Sequence, residues 1–538
     1  MHIPYPNELS TRSIPTLADE TWLHIFHTCI STSFTESSIS TSLLHLSKTE
    51  TLPAQTTPFC LSAVCTSWRR ICLSSTSLWS TIYLWLRVDA DWSRKHKKTR
   101  MSAQGDAFEL WIERSGPERP LHIALGMDHA HFEFGCSESL RIAEALVEAA
   151  GRIAVLDMIM PEWLYQFIEG EDFTRLEVLK LVVPEVLDDL LRDESPQSRE
   201  PVAAPPLDFS MCKHLGSISI TGMFEANAAI VLPESWDTVT DVSATHLVPG
   251  DCLKILDSIP NLKRASFELL DHLLDHWWGD EWDFTSPFNE RREGPVLDTL
   301  EINKASHHVV RSLLNITPLS LKHLKLGVLS SYDTITLCYL APRYNFVLTT
   351  IPAFAESLQS LTLHNTLPHF DPLLSILPQM KALVELEIQN DWDGVSVDPY
   401  ESRPDALDRS LLGGPDNDWI VSILTTPGVL PRLQRFWCTV LSLGPKEFAD
   451  EVFLNFLRYR RHYAVPKARA DSCSMIQDVK FISVVEQDME ISPWAPMTLV
   501  EIRGMIEDGL NIALGQTLVW DEDYGRIANF LQEESLRA

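Results

Sequence analysis

Basic residues are scarce in this sequence relative to acidic ones. Its 538 residues include 44 Lys and Arg against 74 Asp and Glu, a formal net charge of −30. Because phosphate binding relies on Lys and Arg to displace counterions, a nucleic-acid partner is disfavoured. No apolar run approaches the ~18 residues that cross a bilayer, and the opening residues lack the basic and apolar regions of a secretory signal. The sequence therefore predicts no membrane partner and a cytoplasmic or nuclear location.

Paired cysteines and recognisable catalytic motifs are also missing. The ten cysteines include no Cys-x-x-Cys pair, which disfavours a zinc module and a disulfide framework. There is no Walker A, G-x-S-x-G, H-E-x-x-H or G-x-G-x-x-G motif. His272 with His276, and His129 with His131, have spacings that could ligate a metal, but neither pair has a third ligand at a recognisable spacing. We expect no metal, no cofactor and no catalytic residue, and a metal-dependent enzyme is the less favoured alternative.

What remains is a globular composition, with 45% hydrophobic and 22% charged residues. The charge is uneven along the chain. Residues 1–110 hold 10 basic and 9 acidic side chains, whereas the later residues hold 34 and 65, a net charge of −31. The dense basic run at residues 94–100 is interpreted as a solvated linker, with an import signal or a contact with an acidic partner as alternatives. The change in charge predicts a boundary near residue 110.

Two amphipathic helices are predicted between residues 16 and 72. The segment from Thr16 to Asp19 has the form of a capping box, so a helix start is expected at Thr16 or Leu17. Residues 31–58 contain 14 Ser or Thr out of 28, a composition that predicts a mobile inserted loop. A strand is predicted at residues 78–84. The apolar residues at helical spacing are Trp22, Leu23, Ile25, Phe26, Cys29 and Ile30, then Phe59, Leu61, Val64, Cys65, Trp68, Ile71 and Cys72.

These residues resemble an F-box. The first half of that motif reads Leu-Pro-x-Glu followed by Ile-Phe, and this chain has Leu17 to Glu20 followed by Ile25 and Phe26. Residues 108–121 are also similar to the helix and strand that follow the F-box in the large F-box families of mushroom-forming fungi. The second half of the motif reads Leu, Val-Cys, Trp-Arg, Ile and Leu-Trp, and the matching residues are Leu61, Val64, Cys65, Trp68, Arg69, Ile71, Leu78 and Trp79.

The resemblance implies a function. Proteins with an F-box bind a Skp1-type adaptor of a cullin-RING ubiquitin ligase, and they hold the target protein with the rest of their chain. It therefore implies a substrate-recognition subunit of an SCF-type ligase, with a Skp1-type adaptor and a cullin as partners and no catalysis of its own. The alternative is a Skp1-bound interaction protein that takes no part in ubiquitination. The residues that the resemblance assigns to adaptor binding are Leu17, Glu20, Ile25, Phe26, Leu61, Val64, Trp68 and Ile71.

Beyond about residue 150 the sequence repeats the apolar pattern Leu-x-x-Leu-x-Leu, which is typical of leucine-rich repeats. Five of the ten gaps between copies are 23 to 25 residues, within the expected period. An α/β protein that alternates strands and helices could give similar patterns, but no Gly-rich strand-to-helix turn is present. The eleven copies begin at Ile153, Leu176, Leu215, Val239, Leu262, Leu297, Leu321, Leu358, Leu383, Leu433 and Ile476.

The predicted fold class is therefore a small all-α F-box followed by an irregular leucine-rich-repeat-like solenoid of α+β and α/β character. The predicted divisions of the chain are an N-terminal tail (1–13), the F-box with its Ser/Thr-rich loop (14–86), a basic linker (87–107), the repeat-like domain (108–499) and an acidic C-terminal segment (500–538).

Tryptophans in two predicted insertions are the candidate target-binding residues. Trp277, Trp278 and Trp282 lie in one acidic insertion and Trp392 in another. A tryptophan beside carboxylates can hold Arg or Lys by a cation–π contact together with ion pairing, so the target is expected to be basic. The alternative is that these rings cap the core of the repeats.

Overall fold

The structure is a computed structural model in which the chain divides into two compact units, Met1–Glu234 and Ser235–Ala538. Each unit is considered by itself below. The structure describes residues 17–36, 57–86, 93–127, 136–159, 173–182, 212–221, 236–247, 249–269, 297–305, 310, 313–314, 317, 320–328, 351–364, 375–389, 424–442, 450–462, 474–486, 496–519 and 530–531.

The first unit begins with helices and continues into a parallel sheet. Strands β1 to β5 lie side by side in chain order, and every neighbouring pair is parallel. The elements are α1 (Asp19–Glu36), α2 (Pro58–Val64), α3 (Thr66–Ser74), a 3₁₀ turn (Thr76–Trp79), β1 (Thr81–Leu86), α4 (Arg94–Arg114), β2 (Leu121–Met127), α5 (Cys136–Ala149), a 3₁₀ turn (Ala150–Arg152), β3 (Ile153–Ile159), β4 (Val178–Val182) and β5 (Ser217–Thr221).

The second unit is built on a longer sheet of the same kind. Strands β6 to β14 follow one another in parallel, and the short β15 pairs with β14 in the antiparallel direction. The elements are β6 (Asp241–Leu247), α6 (Pro249–Ser258), β7 (Arg264–Leu269), β8 (Thr299–Ala305), β9 (His323–Val328), a 3₁₀ turn (Ile351–Phe354), β10 (Ser360–His364), a 3₁₀ turn (Leu377–Gln379), β11 (Glu385–Gln389), β12 (Arg435–Ser442), α7 (Asp450–His462), β13 (Asp478–Glu486), α8 (Pro496–Glu507), β14 (Asn511–Val519) and β15 (Phe530–Leu531).

The strands form because apolar and polar residues alternate along them. Successive side chains of a strand point to opposite faces, so one face of each sheet collects the apolar positions. In the second unit a buried row crosses eight strands in register, and it consists of Val242, Ala265, Leu300, Leu324, Leu361, Leu386, Phe436 and Val479. This row is the centre of the apolar core. The residues between these positions are mostly polar and lie on the other face.

Helices complete the cores on the apolar side. In the first unit, Phe108 and Trp111 of α4 and Leu146 of α5 are buried. In the second unit, the Phe456 ring of α7 lies 5.6 Å from the Phe436 ring of β12. Arg460 of the same helix is fully buried, and its guanidinium donates hydrogen bonds to the carbonyls of residues 424, 429 and 430 at 2.8 to 3.0 Å. These bonds satisfy a turn that has no strand partner for its carbonyls.

The predicted fold class is wrong. The described residues form fourteen parallel strands and eight helices in an α/β arrangement, rather than a small all-α domain followed by a solenoid. Strand β1 pairs with β2 from Thr81 onward, so the sheet begins inside the segment that was predicted to be all-α. The apolar pattern reports which residues of a strand face the core, and a parallel sheet with one face on the core satisfies it without a solenoid.

The structure also places the other predicted segments. The later residues of all eleven apolar patterns lie on strands β3 to β13. All eleven first residues are buried, but only Ile153 lies within its strand, and each of the other ten comes two residues before its strand begins. Residues 31–36 of the predicted loop belong to α1, and residues 94–107 of the predicted linker belong to α4. Residues 37–56 lie outside the described part of the chain. Among the described helices, none is both long enough and apolar enough to cross a membrane.

Candidate adaptor-binding surface

Helix α1 begins at Asp19, two or three residues after the start predicted at Leu17 or Thr16. The Ala18 carbonyl accepts the first helical hydrogen bonds, from the amides of Thr21 at 3.0 Å and Trp22 at 3.1 Å. Asp19 and Glu20 occupy the first turn, where their negative charges favour the positive end of the helix dipole. Glu20 is exposed, and so it is free to contact a partner.

The second predicted helix is two helices. Thr57 caps α2 by accepting a hydrogen bond from the Cys60 amide at 3.3 Å, and Pro58 stands at the first helical position, which suits its fixed φ. Cys65 then adopts an extended conformation between α2 and α3, and its Sγ accepts from the Trp68 amide at 3.5 Å. The break changes the direction of the chain within the motif.

Three aromatic rings hold α1 against α3. The centroid of the Trp68 ring lies 4.9 Å from that of Phe26 and 5.0 Å from that of Trp22, and Trp22 and Phe26 are 5.9 Å apart. Phe26 is fully buried, whereas Trp22 and Trp68 are half-buried. Tilted and edge-to-face pairs at these distances are favourable beyond the area that they bury. Of the eight predicted adaptor-binding residues, Phe26 and Trp68 are therefore two whose rings are in direct contact.

A second ring cluster joins the helical segment to α4. The Phe59 ring of α2 lies 5.0 Å from Trp79 and 5.2 Å from Trp111 of α4, in edge-to-face geometry. Trp79 also donates from Nε1 to the Cys72 carbonyl at 2.8 Å, and the Arg114 guanidinium lies 5.1 Å from its ring centroid. The helices are thus packed against the rest of the first unit.

Polar contacts add to this packing. Arg70 of α3 forms a bidentate ion pair with Asp19 of α1 at 2.9 and 3.0 Å. Both side chains are about half exposed, so the ion pair contributes little to stability. His27 Nε2 lies 2.9 Å from the Ser77 hydroxyl oxygen. Burial lowers the pKa of His27, and the nearby charge of Arg119 lowers it further. Both effects favour the neutral form of the imidazole.

The eight predicted adaptor-binding residues divide by exposure. Phe26, Leu61 and Ile71 are buried, and Trp68 is half-buried. The other four, Leu17, Glu20, Ile25 and Val64, are exposed. Sequence reasoning missed Leu73, which is 48% exposed. Leu73 comes four residues after Arg69 and three after Arg70, so it shares the basic side of α3. An apolar residue on that side was the signal that could have identified it.

We use the term exposed apolar set for Leu17, Ile25, Val64 and Leu73, whose exposed fractions are 42%, 36%, 61% and 48%. Within the described residues, the other large apolar side chains that are exposed lie near the end of the chain, at Met475, Met497, Val500 and Ile506. Single exposed apolar residues are common. These four all lie in the helical segment at residues 17–79, and three of them are positions of the predicted motif.

The predicted target-binding residues Trp277, Trp278, Trp282 and Trp392 lie outside the described residues, as do His129, His131, His272 and His276. No group of three His, Cys, Asp or Glu side chains in the described ranges could hold a metal ion. In comparisons with known proteins, no protein-family model matches this sequence, and no curated protein is significantly similar to it. The functional assignment therefore depends on the residues of the chain itself.

Proposed function

We propose that this chain is the substrate-recognition subunit of an SCF-type ubiquitin ligase. In this proposal the helical segment at residues 17–79 is an F-box that binds a Skp1-type adaptor, and the sheet-forming remainder binds the target protein. The observation that carries the proposal is the exposed apolar set, because three of its four members, Leu17, Ile25 and Val64, are positions at which the sequence resembles the F-box motif.

The division of the motif into buried and exposed residues supports this function. A peptide-like binding surface on helices needs an internal core that fixes the helices and an external apolar side that the partner covers. Phe26, Leu61 and Ile71 are buried and supply the first requirement. The exposed apolar set meets the second, with Glu20 as an exposed charge beside it. An arrangement in which all motif residues were buried would instead favour a purely structural role.

In this role the chain needs no catalytic residue. An adaptor at the helical segment and a target elsewhere on the same chain would bring the target close to a ubiquitin-conjugating enzyme, because tethering raises the effective concentration of the reacting groups. The target is proposed to be basic, because the residues after 110 carry a net charge of −31 and such a field speeds association with cations.

The test is affinity purification of the tagged chain, with and without proteasome inhibition. We expect a Skp1-type adaptor and a cullin to be recovered under both conditions, and target proteins to accumulate when the proteasome is inhibited. Recovery of the adaptor without a cullin would favour an interaction protein outside ubiquitination. Recovery of neither would contradict the proposal.

A further inference from the structure

The polar face of the second unit's sheet contains a row of side chains from six neighbouring strands. A parallel sheet that is buried on both faces has almost continuous apolar strands, but β8 to β13 alternate apolar and polar residues. One face is therefore not part of an apolar core. The row in register across β8 to β13 consists of Glu301, Lys325, Thr362, Glu387, Trp437 and Lys480.

Two carboxylates on this face each pair with a cation on the next strand. Glu301 pairs with Lys325, and Glu385 pairs with Arg435. Glu387, two residues after Glu385, is different. Its carboxylate accepts hydrogen bonds from the Thr362 hydroxyl at 3.3 Å and the Gln389 amide at 2.5 Å, and it has no cationic partner in the described part of the chain.

The position opposite Glu387 on β12 is an aromatic ring. Trp437 is in register with Glu387 on one side and with Lys480 on the other, and adjacent strands are ~4.8 Å apart. The Trp437 indole N–H is shielded from solvent, and no hydrogen-bond acceptor for it exists among the described residues. A cation cannot accept a hydrogen bond from this N–H, so the indole offers a cationic partner only the face of its ring.

The Lys480 ammonium lies 5.9 Å from the centroid of the Trp437 ring. This is the outer limit of a cation–π contact, so the ring attracts a cation but holds this one loosely. A planar guanidinium would combine two interactions that Lys480 does not make together, stacking on the indole and a forked hydrogen bond to the Glu387 carboxylate. It would have to displace the Lys480 ammonium from the ring.

We propose that Glu387 and Trp437 form a binding site for an arginine side chain of a partner protein. The charge of the chain is complementary to such a partner, since 538 residues carry a net charge of −30. The site is independent of the adaptor surface. It depends on the proposed function only in that the partner would be the target protein.

The proposal assigns opposite effects to the two charged neighbours of Trp437. Glu387→Gln removes the carboxylate and should weaken binding of an arginine peptide about tenfold. Lys480→Gln removes the competing cation and should strengthen it about threefold. The matched control is Glu507→Gln, which makes the same change of charge at an exposed position of α8. The control should leave binding within about twofold of the wild type.

The experiment uses the full chain labelled with 5-fluorotryptophan, in which the Trp437 signal is assigned from Trp437→Phe. The probe is a short peptide of alternating Arg and Ser, and the comparison peptide has Gln in place of Arg. We expect a saturable shift of the Trp437 fluorine signal with the arginine peptide alone, and the opposite effects of the two variants. No shift at Trp437, an equal shift with the glutamine peptide, or equal affinities for Glu387→Gln and Glu507→Gln would overturn the proposal.

Two further measurements separate the possible failures. If Glu387→Gln does not fold, as judged by circular dichroism, the sign of the Lys480→Gln effect decides alone, because weaker binding in that variant would indicate an acidic ligand and contradict the proposal. Adaptor recovery from Glu387→Gln should equal that of the wild type. Absence of an arginine-dependent Trp437 shift in the wild type, with the adaptor still bound, would refute this site and leave the adaptor function standing.

Discussion

Each unit has an acidic residue in register with a lysine on the next strand, but only in the second unit do the two form an ion pair. In the first unit Asp157 of β3 is in register with Lys180 of β4, and in the second Glu301 of β8 is in register with Lys325 of β9. Lys325 reaches Glu301 and forms an ion pair. Lys180 forms none with Asp157, whose Oδ1 is buried and has no hydrogen-bond partner among the described residues.

The pKa values of the two carboxyls differ accordingly. Burial raises the pKa of Asp157 to about 6, and the charge of Lys180 offsets this only in part. Burial alone would also raise the pKa of Glu301, but hydrogen bonds from Lys325, Asn303 and Ser266 bring it below its ordinary value. Aspartate is one methylene shorter than glutamate. The comparison indicates that reach across the strand gap, rather than the presence of a lysine, decides whether a carboxylate on these sheets is stabilised.

The largest expected gain in stability is at Asp157. Asp157→Asn removes a charge that is 5% exposed and lacks an ion pair, so it should raise the unfolding free energy at neutral pH by up to about 3 kcal/mol. Denaturant unfolding measures this. The control Glu148→Gln removes an exposed charge of α5 in the same unit and should change it by less than about 0.5 kcal/mol. A destabilised Asp157→Asn variant would mean that the buried charge has a partner.

The same variant should change the pH dependence of stability. Because the pKa of Asp157 is higher in the folded chain than in the unfolded one, the folded state binds more protons between about pH 4 and pH 6. The penalty for ionising Asp157 is complete above about pH 7 and is relieved as the pH falls. The stability gain of Asp157→Asn should therefore be about half as large at pH 5 as at pH 7.5. An equal gain at both values would contradict the raised pKa.

Shortening Glu301 by one methylene should leave its carboxylate without an ion pair, as Asp157 is in the first unit. Glu301→Asp is expected to lose the contact with Lys325 and to destabilise the chain by about 1 kcal/mol. Lys322→Met breaks the more exposed pair with Asp298, which is 2.7 Å long, and should cost less than about 0.5 kcal/mol. If the two variants were equally destabilised, partial burial would not explain the strength of the Glu301 pair.

The exposed apolar residues of the helical segment should have the smallest effect on stability. Leu17→Ala with Val64→Ala should change the unfolding free energy by less than about 0.5 kcal/mol, because both side chains are exposed. Phe26→Ala should cost about 3 to 5 kcal/mol, because its ring is fully buried. Thermal unfolding distinguishes the two cases. Similar losses would mean that the exposed apolar set belongs to the core.

The sequence locates strands well because alternation is a local property. The pattern that begins at Leu383, for example, continues with Leu386 and Ile388, and both lie on β11 with buried side chains. Pairing is not local. Nothing in the residues near Glu387 indicates that Trp437, 50 positions later, is its neighbour on the next strand.

Only part of the candidate adaptor-binding surface could be predicted from the sequence, because the rest depends on contacts between distant residues. Helical spacing identified the apolar residues of α1 and α3, but it did not divide Phe26 from Ile25 into a buried and an exposed residue. That division depends on the contact between Phe26 and Trp68, which brings residues 42 positions apart together. The break at Cys65 was missed because the apolar spacing continues through it, although its backbone is extended. Leu73 was missed because it lies outside the row of apolar residues at helical spacing.

The most direct test of the central claim is a calorimetric titration of a purified Skp1-type adaptor into the full chain. The account predicts saturable one-to-one binding that Leu17→Ala with Val64→Ala weakens at least about tenfold. The control Met497→Ala with Val500→Ala removes apolar side chains that are at least as exposed, at 78% and 61%, and should leave the affinity unchanged. Absence of binding by the wild type, or equal affinities for the two double variants, would contradict the account.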